Sequence, residues 1–120
     1  MGSLWDAQRH EDKHSTGIPD ISYSTTIHGW VELKYLESPP KKGGVMKIDH
    51  FTASQRNWLT RHGKRAGYCF ILIQVGSKYL LFSWEACPHI GRVTYEEHLV
   101  LAVKVWDGSI DWGQLAELLS

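Results

Sequence analysis

Hydrophobic positions along the chain change period several times, and each change marks a predicted element. Residues 4–14, LWDAQRHEDKH, are mostly polar with few breakers, which predicts a short surface helix with Leu4, Trp5 and Ala7 turned inward. Ser15, Thr16 and Gly17 end it, and Pro19 biases Ile18 toward extended backbone. Residues 18–24 and 30–36 then read as two strands joined through a turn at 25–29, an antiparallel hairpin. SPPKKGG at 38–44 is an irregular loop, and 45–51 reads as a short edge strand.

The middle of the chain switches to a helical pattern. Thr52 followed by Gln55 forms a capping-box signature, so a helix of about a dozen residues is predicted, ending at Gly63 or Gly67. YCFILIQV at 68–75 is an unbroken apolar run, the mark of a buried strand, and Gly76-Ser77 turns it back into an antiparallel KYLLFSW at 78–84. A second capping box, Thr94 to Glu97, opens a helix whose apolar residues Leu99, Ala102, Val103 and Trp106 continue at helical spacing. Asp111 caps a last short helix, WGQLAELL. The expected architecture is one α/β domain over residues 1–120, a mixed sheet flanked by helices, with a core at about 4–84 and a helical extension at about 94–120.

Composition narrows the function classes. At 120 residues and 42% hydrophobic content the chain supports one core, and a formal net charge of zero supplies no global attraction to nucleic acid or anionic lipid. The charge is unevenly spread. Residues 41–65 carry Lys41, Lys42, Lys47, Arg56, Arg61, Lys64 and Arg65 against Asp49 alone, a surface suited to phosphate contacts. Two cysteines make no disulfide framework, and no apolar run reaches the ~20 residues of a membrane-spanning helix, so an intracellular, cytoplasmic protein that binds no membrane is expected. His10 and His14 stand one helical turn apart and Cys87-Pro88-His89 holds two soft ligands, but no matching pair recurs at a structural-zinc spacing.

The chemistry concentrates in the second predicted strand. In GWVELKY, alternation sets Trp30, Glu32 and Lys34 on one face and Val31, Leu33 and Tyr35 on the other. Paired as a hairpin, the strands bring Asp20 within reach of Glu32. Two carboxylates beside an ammonium ask for a cation between them, and all-oxygen donors suit Mg²⁺ or Mn²⁺.

GIPD, then eleven residues, then ELK, followed by TASQ, resembles the PD-(D/E)XK nucleases, and most of all the small stand-alone VRR-NUC group and phage proteins similar to Holliday-junction resolvases. The resemblance covers roughly residues 9–82. It implies a restriction-endonuclease-like core of helix, three strands, helix and strand, and divalent-metal hydrolysis of DNA phosphodiesters. Position by position, it implies metal ligation by Asp20, Glu32, the carbonyl of Leu33 and an acidic residue of the first helix, matched by Glu11. Lys34 matches the lysine that orients or deprotonates the attacking water, and Gln55 the motif glutamine. The expected protein is a Mg²⁺-dependent, structure-selective endonuclease acting on branched DNA such as four-way junctions, as a homodimer, in a host cytoplasm if phage-encoded. A nonspecific, nicking or end-processing nuclease and an inactive DNA-binding protein of the same fold are the alternatives. The apolar tail, with Leu99, Val103, Trp106, Trp112, Leu115 and Leu118, is the candidate dimer surface.

Overall fold

Six strands in the order β1-β2-β3-β4-β5-β6 form one sheet in the computed structural model, which describes residues 6–9, 21–24 and 28–119. β1 (Asp6–Arg9), β2 (Ile21–Ser24) and β3 (His28–Leu36) run as an antiparallel meander, with Ile21 opposite Val31 and Ser24 opposite His28. α1 (Ala53–Ala66) crosses over to β4 (Cys69–Val75), which lies parallel to β3 with Glu32 opposite Ile71 and Lys34 opposite Ile73. β5 (Lys78–Ser83) returns antiparallel, a single 3₁₀ turn follows at Trp84–Ala86, and α2 (Tyr95–Leu101), β6 (Lys104–Asp107) and α3 (Trp112–Leu119) complete the chain. The mixed sheet flanked by helices is the α/β class expected.

Both faces of the sheet are covered. Ile71, Ile73, Leu80 and Phe82 pack with Leu59 of α1, Met46 and Ile90 on one side, whereas Val31, Phe70, Leu81 and Trp106 pack with Leu115 and Leu119 of α3 on the other. A strand buried on both faces needs apolar side chains at every position, which is why 68–75 reads as a continuous run. Glu32 is the exception: a carboxylate 1% exposed within this layer.

The capping boxes behave as the pattern predicts. Thr52 Oγ1 accepts from Gln55 N–H at 3.1 Å while Gln55 Oε1 accepts from Thr52 N–H at 3.0 Å, and the helix closes at Gly67, whose φ of 77° a residue with a Cβ adopts at a cost. Asp111 Oδ1 likewise accepts from Gln114 N–H at 3.1 Å at the start of α3.

Four expectations are corrected. Residues 6–9 are a strand, because a short polar segment is marginal as a helix on its own and the open edge of β2 supplies ladder hydrogen bonds in its place. Residues 45–51 form no strand beyond a single bridge between Val45 and Thr94. The helix opened by Thr94 stops at Leu101, and Lys104–Asp107 pairs with β5. Helical spacing of apolar residues across a strand boundary is coincidental here, since Trp106 is buried by sheet alternation. The segment 94–120 is therefore no helical extension but carries an edge strand of the sheet, and of its proposed interface residues Trp106 and Leu115 lie in the core while Val103, Trp112 and Leu118 stay exposed.

Candidate functional site

The 3.0 Å ion pair between Lys34 Nζ and Glu32 Oε2 lies at the centre of the candidate site. Residues i and i+2 of a strand share a face, so β3 alone sets the two side chains side by side. Their burial differs, at 1% for Glu32 and 10% for Lys34, which puts the carboxylate inside and the ammonium at the rim.

Helix α1 adds the third member. Gln55 is the third residue of the helix, and its side chain reaches back across the cap to β3. Gln55 Nε2 donates to Glu32 Oε2 at 3.2 Å, and Gln55 Oε1 accepts from Lys34 Nζ at 3.4 Å. The same amide oxygen closes the capping box, so a residue of the first turn of α1 also orients the buried pair. Lys34 Nζ gives a further hydrogen bond to the His50 carbonyl at 2.8 Å. His50 sits at φ 61°, a left-handed conformation that is uncommon outside glycine, and this turn leads straight into the Thr52 cap. Phe51, buried, lies beneath Lys34 with its ring centroid 5.7 Å from Nζ.

The structure thus brings Glu32, Lys34 and Gln55 together, with Leu33 between the first two on the opposite face. Asp20 and Glu11 lie outside the described residues, as do His10 and His14. Among the described residues, the ladder between β2 and β3 reaches the Ile21–Val31 pair, one position before Glu32. Among the described residues no three His, Cys, Asp or Glu side chains gather as a metal site. The oxygen donors at hand, the Glu32 carboxylate and the Leu33 carbonyl, are of the hard type that Mg²⁺ or Mn²⁺ prefers.

The basic middle of the chain divides in two. Lys41, Lys42, Lys47, Arg61, Lys64 and Arg65 are exposed. Arg56 is not free as expected: its Nη1 donates to the Cys87 carbonyl, its Nη2 to the Ile90 carbonyl at 2.7 Å, and the Phe51 ring lies 4.3 Å from its guanidinium carbon. Sequence reading missed His50 and Phe51 as supports of Lys34, because a carbonyl aimed by a backbone angle leaves no residue signature. Both cysteines are free thiols held protonated by burial, Cys69 pushed up to about 12 and Cys87 to about 11.

No protein-family model matches the chain, and no curated protein matches it. Among solved structures it is similar to the Holliday junction resolvase Hjc of the archaeal hyperthermophile Archaeoglobus fulgidus. That match has a TM-score of 0.45 and 14% sequence identity, covering 68% of this chain and 60% of the resolvase. This chain therefore spans less than two thirds of the length of that structure. No helix among the described residues is long and apolar enough to cross a membrane.

Proposed function

We propose that the chain is a metal-dependent DNA endonuclease of the PD-(D/E)XK type that cuts branched DNA, with four-way junctions as substrate and a homodimer as the acting form. The observation that carries this reading is the Glu32–Lys34 pair held by Gln55, a buried carboxylate and a rim ammonium on one strand face at the ExK spacing. A charge buried in a sheet between apolar layers costs several kcal/mol, and retaining it for stability alone is poor economy.

Asp20 completes the site under this reading. Its chain neighbour Ile21 pairs with Val31, the neighbour of Glu32, and if the antiparallel ladder ran one step further position 20 would lie opposite position 32, where directly opposed residues share a face. Glu32, Asp20, Glu11 and the Leu33 carbonyl would hold a Mg²⁺ ion, with Mn²⁺ as a substitute. When bound, that ion polarises the scissile phosphate and acidifies water. Lys34, fixed by Glu32, Gln55 and His50, presents its ammonium where the phosphorane gains negative charge, and no ordering of its side chain is left to occur during the reaction. The exposed lysines and arginines of 41–65 hold the backbone of the duplex arms. Two sites related by a two-fold axis match the symmetry of a junction, which is the argument for a dimer.

Incubation of the purified protein with four-way junction, linear duplex and single-stranded DNA, with Mg²⁺ or with chelator, tests the proposal. Paired symmetric cuts in the junction, lost with chelator and in Glu32→Gln, are expected. Unpaired nicks or general degradation would establish the nonspecific enzyme instead, and absence of metal-dependent cutting on every substrate would remove the enzymatic reading.

A further inference from the structure

On the flank of α1 turned away from Glu32, Asn57 and Thr60 stand roughly 140–200° around the helix axis from Gln55. Together with Arg56, Pro88 and Arg92 they line a hollow of about 230 Å³, and a second hollow of about 370 Å³ opens beside it over Asn57, Thr60 and Arg61. No acidic side chain is among the described residues lining either one. Two cationic side chains, Arg56 and Arg92, line the first hollow and a third, Arg61, lines the second, with no described lining residue of opposite sign beside them.

The arrangement of Arg56 is what separates this from an ordinary solvated basic patch. Two of its five N–H donors are committed to the Cys87 and Ile90 carbonyls, and the Phe51 ring backs the guanidinium plane. The group is thereby fixed in place, with three donors remaining and no rotamer entropy left to lose on binding. Desolvation, and then the like charge of Arg92, lower its proton affinity. A like-charged neighbour raises the energy of the empty hollow, and an anion between the two guanidinium groups reverses the sign of that interaction. The smaller hollow is below the ~300 Å³ at which sites for drug-sized ligands begin, so the ligand is small. Planar guanidinium groups match tetrahedral oxyanions through paired donors.

We infer that the hollow between Arg56 and Arg92, edged by Asn57, is a phosphate-binding pocket separate from the Glu32–Lys34 site. It takes a phosphoryl group, carried either by a nucleic-acid strand or by free phosphate, and the adjoining hollow over Arg61 gives a strand room to continue along α1. The inference stands on the pocket alone, since neither Glu32 nor a divalent cation takes part in it.

The test is a titration of the full chain with sodium phosphate against sodium chloride at matched ionic strength, read by the backbone amide signals of Asn57, Thr60 and Arg92. Saturable shifts with phosphate are expected, with an affinity that falls about tenfold in Arg92→Gln, the size of one lost charge-assisted contact, and is unchanged in Glu32→Gln. Arg92 is exposed, so its variant retains the fold, as an unaltered melting temperature in chloride would verify. Competition by an oligonucleotide bearing a 5′-phosphate, by the same oligonucleotide without it, or by neither, assigns the ligand as a terminal phosphate, an internal phosphodiester or free phosphate. Shifts no larger in phosphate than in chloride, or equal in wild type and Arg92→Gln, would overturn the inference, whatever the outcome of the cleavage assays.

Discussion

Gln55 Nε2 donates to Glu32 Oε2 at 3.2 Å, across the gap between α1 and β3. A single amide therefore couples the start of a helix to a buried charge on a strand. Gln55→Ala removes the hydrogen bond to Glu32 and half of the capping box at once, and a stability loss of about 1.5–3 kcal/mol is expected from the bond to a charged group. Cleavage should fall about 10–100-fold, as for residues that orient a ligand without binding substrate. Gln55→Glu keeps the oxygen that caps Thr52 but sets a second carboxylate against Glu32, so its melting temperature should lie below that of wild type at neutral pH. Thermal melts of both variants beside junction-cutting rates check this.

The two halves of the ion pair should not be equivalent. Lys34→Ala takes the countercharge from a carboxylate that is 1% exposed, leaving it the neutral Gln55 amide, whereas Glu32→Ala takes it from an ammonium at the rim that water can reach. We expect Lys34→Ala to cost about 3–5 kcal/mol and Glu32→Ala distinctly less, measured by urea unfolding at pH 7. Glu32→Gln, which retains shape, should stay folded and bind junction DNA while losing cutting. Unfolding of all three variants to the same degree would identify the pair as structural only.

Gly63 lies in the interior of α1, where glycine is about 1 kcal/mol worse than alanine on intrinsic propensity. A Cβ at this position would sit 2.1 Å from Trp84 Cγ and 2.4 Å from Trp84 Cδ1 and Cδ2. The atoms met are the root of the indole rather than the end of a flexible chain, so the ring must leave its place. Overpacking outweighs propensity, and Gly63→Ala should destabilise by about 1–3 kcal/mol in differential scanning calorimetry. A gain in stability would mean that Trp84 repacks freely.

His98 is fully buried and held neutral by its contacts. Gly91 N–H donates to Nε2 at 3.0 Å, which leaves Nδ1–H to donate to the Thr94 carbonyl at 2.7 Å. Burial pushes its proton affinity below the usual histidine value, with the Thr94 carbonyl and the Glu97 charge opposing in part. Because the folded value lies below the unfolded one near 6.5, the unfolded chain takes up the proton first as pH falls. Stability should therefore be complete above about pH 6.5 and decline as the pH drops toward the folded value, and His98→Gln should flatten that part of the curve. Melting temperatures of both proteins between pH 5 and 8 measure it.

Strands β2 to β5, the capping boxes and the ExK face were legible in the chain because each depends on neighbours in sequence: side-chain alternation in β3, a hydroxyl three residues before an amide at Thr52 and Gln55, apolar continuity in 68–75. The apolar run at 99–106 was misleading for the same reason, since Val103 and Trp106 fit a helix locally and only pairing with β5 makes Lys104–Asp107 a strand. Residues 6–9 were likewise decided by the free edge of β2.

Sequence by itself determined that Glu32 and Lys34 share a face and that Gln55 opens a helix. Tertiary structure decided that these three meet, that His50 turns its carbonyl to the ammonium, and that Arg56, expected on an open basic face, is bound to the 87–90 loop. The reason is range: strand alternation and helix caps act within four residues and are written in the local pattern. The contacts that aim a buried charge cross from α1 to β3 over more than twenty positions, and they exist only once the sheet has formed.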